Sequence, residues 1–416
     1  MASTPTAITK GDTPWVNLTV AWLGWLFDGM EMGIYSLIAM PALKELLHTQ
    51  DKAAIGPWVG MMFGLFLLGA ALGGFVFGRL GDKIGRVKSL ALTIVIYSLF
   101  TGLSAACTEA WQFGACRFLG ALGLGGEWGL GVALVMESWS NKSRPALAGI
   151  LGAAANIGFF ICAIIGLSVG GLSWRYILLI GIIPAITVLF MLLGVREPEA
   201  WRKSRDRGEK PDLKVLWQPG LRYKTVMGCL ISSVVVLGTW GVFQWIPTWV
   251  NTMPNVAGNA AHERAFTQMF MAIGQIAGAF VGGFIAEWIW RRKSYAIYCL
   301  GSLIASIALY ATIKEYGPAL WIMAAVAGVF STAFFGWLPL YLPELFPTRI
   351  RATGEGITYN FGRILAAVLV FAGTGNLVAH FHGSFAKAGA VMALVYVVGL
   401  ILIWFMPETK GQKLPE

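Results

Sequence analysis

Long apolar runs dominate the chain, and short polar stretches punctuate them. A helix that spans a bilayer needs ~20 mostly apolar residues. Twelve stretches qualify: 15–38, 56–78, 88–107, 110–137, 144–171, 174–195, 224–250, 265–288, 293–313, 318–343, 350–378 and 386–406. Within hydrocarbon each backbone polar group must be satisfied inside its own segment, so each stretch predicts a helix. The expected fold class is an all-α membrane protein with 12 transmembrane helices in two six-helix bundles. The longest polar stretch divides them. It gives an N-terminal bundle at 1–195, a cytoplasmic linker at 196–223, and a C-terminal bundle with a short tail at 224–416.

The polar punctuation is itself patterned. Between the second and third segments stands Gly78-Arg-Leu-Gly-Asp-Lys-Ile-Gly-Arg-Val-Lys88. A run this charged predicts a short water-facing loop. Gly81 and Gly85 permit a tight turn and close helix approach. Asp82 can accept from a helix N-terminus or an arginine, and Arg86 and Lys88 can reach headgroups or acidic partners. A degraded copy, Glu287 to Lys293, follows the eighth segment. Glu137 and Arg144 follow the fourth segment, and Glu344 and Arg351 follow the tenth at the same spacing. Matched charges in both halves predict two bundles that close against each other by ion pairs, as in a rocking transporter. The alternative is that each acid caps its own helix.

Composition supports the membrane reading. Charged residues are 12% of the chain, against about a quarter in soluble domains. The net charge of +10 brings nucleic acid to mind, but the positions of the cations exclude it. Most Lys and Arg fall in alternate loops, among them Arg79 to Lys88, Lys142 and Arg144, Arg196 to Lys224, Arg291 to Lys293, and Arg349 and Arg351. The other loops hold only Lys44, Lys52, Arg175, Arg264, Lys314 and Lys387. This bias places both termini in the cytoplasm. It implies a multi-pass plasma-membrane protein, in a bacterium the inner membrane. The polar stretch Met1–Thr13 lacks a signal-peptide core, so the first helix is expected to be its own insertion signal. The five cysteines sit in or near apolar segments without metal-ligand spacing and read as packing residues.

Several motifs together carry a resemblance. They are Gly78 to Lys88, Arg117-Phe-Leu-Gly-Ala-Leu-Gly-Leu-Gly-Gly126, Glu137 with Arg144, Pro343-Glu-Leu-Phe-Pro347 with Arg351, and Pro407-Glu-Thr-Lys-Gly411. The chain resembles the sugar-porter branch of the major facilitator superfamily over nearly its whole length. In Asp28-Gly-Met-Glu31, Gly126-Glu-Trp128, Met136-Glu-Ser-Trp139 and Asn360-Phe-Gly-Arg363 it departs from sugar porters. There it looks more like the proton symporters of sialate, lactate and aromatic acids. The resemblance implies alternating access, a monomer, and a coupling pair made by an Asp on the first helix with an Arg on the fourth.

Ionisable residues inside spans are functional candidates. At 1.5 Å per residue, Asp28, Asn156, Arg117 and Arg363 all lie ~18–21 Å from the basic face. Transporter sites sit near this level. Asp28 pairing with Arg117 is expected to carry the proton, with Glu31 sharing it or lining the entrance; a purely structural ion pair is the alternative. Arg363 is the discriminating residue, because a buried guanidinium wants a bidentate partner and a substrate carboxylate supplies one. Tyr359 and Asn360 can bind the rest of such a substrate, with Asn156 and Gln244 as further pocket candidates. Alternatively Arg363 pairs with Glu31 or Glu127. Glu127 itself reads as a gate or packing anchor in a glycine-rich stretch.

No phosphate-binding loop and no nucleophile–base pair stands out, so the chain reads as a non-enzyme without a cofactor, driven by the proton gradient. The expected function is proton-coupled symport of a small organic acid: a monocarboxylate such as lactate or pyruvate, or sialate or an aromatic acid. The alternative is proton-coupled sugar or polyol symport. The expected partners are the carboxylate, protons and the lipid bilayer.

Overall fold

The structure, a computed structural model, describes residues 14–140, 142–168, 172–180, 182, 194–208, 211–243, 245–256, 260–372, 377, 380–382 and 384–416. Every regular element among these residues is helical. The first half comprises α1 (Pro14–Leu46), α2 (Lys52–Ile84), α3 (Arg86–Ser104), α4 (Ala110–Ser138), α5 (Arg144–Ser168) and α6 (Trp174–Ile180). A short helix, α7 (Glu199–Asp206), and a 3-10 turn at Leu213–Trp217 follow. The second half comprises α8 (Leu221–Gly238), α9 (Ile246–Val250), α10 (Ala261–Trp288), α11 (Arg291–Thr312), α12 (Pro318–Tyr341), α13 (Arg351–Ala372), α14 (Phe385–Met392) and α15 (Val395–Leu402).

Among the described residues, nine helical stretches are long and apolar enough to cross a membrane. Neither α1 nor α13 is one of them, and both carry the charges singled out above: Asp28 and Glu31 in α1, Arg351 and Arg363 in α13. Burial explains how such helices persist. Asp28, Glu31 and Arg363 face protein, while an apolar belt that includes Leu99, Ile304, Ile322, Val368 and Ile401 faces outward.

Three departures from the sequence expectation have local causes. The stretch Gly78–Lys88 is not a water-facing loop. Helix α2 runs through Ile84 and α3 starts at Arg86, so Gly85 alone makes the bend, at φ 115°. Only glycine adopts that angle freely. Asp82 and Arg86 are buried instead of solvated. Second, the stretch 224–250 is not one α-helix. It widens into a π turn at Thr239–Phe243 before α9. Pro247, in the first turn of α9, has no N–H to continue an α ladder. Third, a turn at Ala393–Leu394 divides 386–406 into α14 and α15.

Glycines set the closest approaches. A Cβ at Gly29 of α1 would collide with the backbone carbonyl of Ala155 in α5. Helix α2 packs between α4 and α13, and α5 packs between α1 and the pair α10–α12. The α2–α13 and α5–α10 seams therefore join the two halves of the sequence.

Candidate functional site

The middle of the bundle holds a small cavity, partly open to solvent. Its polar lining comes from Asp28 on α1, Asn156 on α5, Gln268 and Gln275 on α10, and Arg363 on α13. Its walls are aromatic, with Trp25, Phe159, Trp240, Phe243, Phe335 and Tyr359. The π turn matters here, because it is what brings Thr239 and Trp240 to the cavity.

Arg363 donates Nη1 to Asn360 Oδ1 at 2.9 Å, and its guanidinium lies 5.1 Å from the centre of the Tyr359 ring. Its Nε has no hydrogen-bond partner. Tyr359 is fixed from behind by stacking on Trp128 at 3.9 Å. Asn360 does not line the cavity. Its amide donates to Gly356 O at 2.9 Å and to Gly125 O at 3.2 Å, so it holds Arg363 and ties α13 to α4. Asn156 donates to Gly152 O at 3.3 Å and faces the cavity. Gln244 lies outside the described residues.

Asp28 and Arg117 are not partners. Arg117 bonds Glu31, and its guanidinium is sandwiched 4.2 Å from the Tyr35 ring and 4.9 Å from Phe66. The reason is helical spacing: Glu31 and Tyr35 are four residues apart on α1 and present one face to Arg117. Asp28 instead lines the cavity together with Arg363, and neither of its carboxylate oxygens has a hydrogen-bond partner among the described residues. The structure thus separates the expected trio into a closed pair, Glu31–Arg117, and an open acid, Asp28.

The second set of predicted residues gathers where α2 meets α3, which we call the charged end. Arg86 Nη1 donates to Asp82 and to Gly81 O, both at 2.8 Å. Its Nη2 donates to Glu137 at 3.0 Å and to Thr348 O at 2.9 Å. Glu137 also accepts from Arg351 at 2.7 Å. Asp82 accepts from the backbone N–H of Ala352 at 3.2 Å and of Thr353 at 2.8 Å, so it caps α13 from the other half. Arg144, at the start of α5, donates Nε to Met136 O at 3.0 Å.

The matched cluster repeats the local geometry. Arg291 Nη1 donates to Glu287 and to Ala286 O, both at 2.9 Å, and Nη2 donates to Glu344 at 2.9 Å. Among the described residues the other hydrogen-bond partner of Glu344 is Thr409, within the same half, while the Arg144 cation of the first half acts on Glu344 by charge. The first cluster reaches across by direct hydrogen bonds, through Asp82 and Glu137.

Residues 21–370 match the sequence profile of the Major Facilitator Superfamily. The chain belongs to the Major Facilitator Superfamily. It is a multi-pass membrane transporter rather than an enzyme. The cis,cis-muconate transport protein of Acinetobacter baylyi is 27% identical over 96% of this chain and 96% of its own. The niacin transporter NiaP of the same organism is 26% identical over 95% of this chain and 94% of its own. In fold, the chain matches the E. coli proton:xylose symporter XylE, with a TM-score of 0.79, 21% identity, and coverage of 96% and 97%.

Three acids, Glu197, Glu408 and Glu355, went unassigned in the sequence, and Glu127, read there as a gate or packing anchor, belongs beside them. Glu197 accepts from the N–H groups of Arg86, Val87 and Lys88, at 2.7, 3.0 and 3.4 Å, and so caps α3. Burial pushes its carboxyl above the usual range, against the pull of those amides. Glu408 does the same for α11 through Arg291 and Arg292, both at 3.1 Å. The matched Glu-Pro and Pro-Glu stretches after the sixth and twelfth segments were the signal for this pair. Glu355, in the first turn of α13, is fully buried with neither oxygen bonded. Its place between Gly354 and Gly356 was the only hint. Glu127 also has neither oxygen bonded, and its carboxylate fills the notch left by Gly24, one turn before Asp28 on α1.

Proposed function

We propose that this protein is a proton-coupled symporter of a small organic acid, working by alternating access. The observation that carries the proposal is Arg363. It is a buried guanidinium that has an amide, not an acid, as its hydrogen-bond partner among the described residues, and it lines an aromatic cavity beside an unbonded Asp28. A buried cation of this kind is completed by a ligand carboxylate. The aromatic walls favour a flat, unsaturated acid over lactate or pyruvate, and the compounds for which the relatives are named, niacin and cis,cis-muconate, are of that kind.

In this reading Asp28 carries the proton, and Glu31 with Arg117 sets the field around it. The substrate carboxylate meets Arg363, held by Asn360 and Tyr359, with Asn156 and Gln244 as further contacts. The charged end faces the cytoplasm, along with both termini. Asp82, Arg86, Glu137, Arg144, Glu344 and Arg351 close it, and the bundles 1–195 and 224–416 move about the 196–223 linker as a monomer. The amides of Gln268, Gln275 and Asn156 in the cavity keep sugar or polyol symport as the second reading.

The test is uptake into proteoliposomes of labelled nicotinate, cis,cis-muconate, benzoate, lactate, sialic acid and a hexose, each with and without an inward proton gradient. Gradient-stimulated uptake of the unsaturated acids with no hexose uptake is the expected result. Hexose uptake would return Arg363 to a structural role.

A further inference from the structure

At the end of the bundle away from the charged networks, α3 turns into α4 through residues 105–109. Cys107 lies in this turn and Cys116 in the second turn of α4. Their sulfurs are 3.9 Å apart and both are free thiols. Cys107 is buried and Cys116 is half-buried, so one thiol is within reach of a reagent and the other stands behind it.

The backbone around the pair is held on every side. Arg175, in the first turn of α6, donates Nη1 to Ala105 O at 2.5 Å and to Cys107 O at 2.9 Å, and Nη2 to Glu45 of α1 at 2.9 Å. Trp174 donates its indole N–H to the other oxygen of Glu45 at 2.7 Å. Glu109 and Gln112 form a capping box at the start of α4. A disulfide needs sulfurs ~2.05 Å apart. Closing the remaining gap of roughly 2 Å takes side-chain rotation, which a fixed backbone permits.

We propose that Cys107 and Cys116 are a reversible disulfide site that staples the α3–α4 turn to α4, one residue before Arg117. The chemistry is thiol–disulfide exchange with a disulfide-class oxidant. The Cys116 thiolate attacks the oxidant and forms a mixed disulfide, releasing one thiol. The Cys107 thiolate then attacks the Cys116 sulfur and releases the second. The two protons lost by the cysteines end on the two released thiols, and the electron pair that reduces the oxidant comes from the cysteine sulfurs. The compartment follows from the charge bias of the loops. This end lies opposite the basic loops, hence outside, where disulfides persist.

The experiment uses the full-length protein in detergent, treated with oxidised glutathione and then with N-ethylmaleimide. Peptide mass spectrometry is expected to find residues 107 and 116 joined, two hydrogens lighter and unalkylated, and fully alkylated after dithiothreitol. In Cys107→Ser, Cys116 is expected to be alkylated or glutathionylated, with no internal link. Oxidation is expected to raise the Tm of the parent and not of Cys107→Ser. Alkylation of both cysteines after oxidant treatment, or links between molecules only, overturns the site. Sidedness is read separately with a membrane-impermeant maleimide on intact cells. Labelling of Cys116 from outside, in reduced cells only, supports the placement. Labelling only after the membrane is opened overturns the placement without touching the chemistry.

Discussion

The charged end and the central cavity use the same residue types in opposite ways. At the charged end Asp82 has an arginine, two backbone amides and a hydroxyl as partners, and Glu137 bridges two arginines. In and beside the cavity, the carboxylates of Asp28 and Glu127 have no hydrogen-bond partner among the described residues. An acid with all its partners in place stabilises one arrangement of the helices. An acid without partners in a buried site is stable only while it holds a proton, so its charge can answer to substrate and solvent. The difference teaches which carboxylates tie helices of the two halves to one another and which are left without such ties among the described residues.

The largest expected effect comes from removing the cation that serves the first set. Arg86→Ala leaves Asp82 and Glu137 buried without their shared arginine, and a broken buried pair costs about 3–5 kcal/mol. A large fall in Tm in detergent is expected, greater than for Arg291→Ala, because Glu287 in the matched cluster is 45% exposed at its side chain. Equal falls would remove the distinction between the two clusters. Arg363→Gln tests the cavity side. Its Tm is expected to stay close to that of the parent, while organic-acid uptake falls roughly 10- to 100-fold, from the ~1.5–3 kcal/mol of a hydrogen bond to a charged group. Intact uptake would sink the carboxylate role.

Asp28→Asn sharpens the contrast further. Gradient-driven accumulation is expected to be lost while substrate exchange across the membrane persists, with Tm unchanged or higher. A variant that still accumulates substrate against a gradient would take the proton away from Asp28. The smallest effect belongs to Glu287→Gln. Its half-exposed pair with Arg291 is worth at most ~1 kcal/mol, so only a slight shift in Tm is expected. A shift as large as that of Arg86→Ala would mean that the second cluster is as critical as the first.

Much of this contrast was readable in the sequence, for reasons that differ by region. The spans were visible because hydrocarbon demands ~20 apolar residues, and the charged end because Asp82, Arg86, Glu137 and Arg351 recur at fixed spacings. The choice of partner for Arg117 was not readable. Depth alone put Asp28 level with it, but helix rotation gives it Glu31 and Tyr35. The same blindness hid the inward turn of Asn360 toward Gly125, since pattern locates a residue along a helix more surely than around it. The π turn at Thr239–Phe243 escaped because an apolar run carries no mark of a widened turn. Glu355 escaped because it sits one turn past a motif that ends at Arg351.

The way Asp82 crosses between halves has a consequence for how such a protein changes over generations. Its acceptor oxygens take the main-chain N–H groups of Ala352 and Thr353. A main-chain donor is present whatever side chain occupies the position, and only proline lacks it. One side of this contact is therefore written in a single codon, and on the other only the Thr353 hydroxyl depends on the side chain. At this contact position 352 can change its side chain without a compensating change in the first half, whereas Arg351 beside it still needs Glu137. A lineage built this way can vary the side chain at such a crossing while keeping the crossing itself.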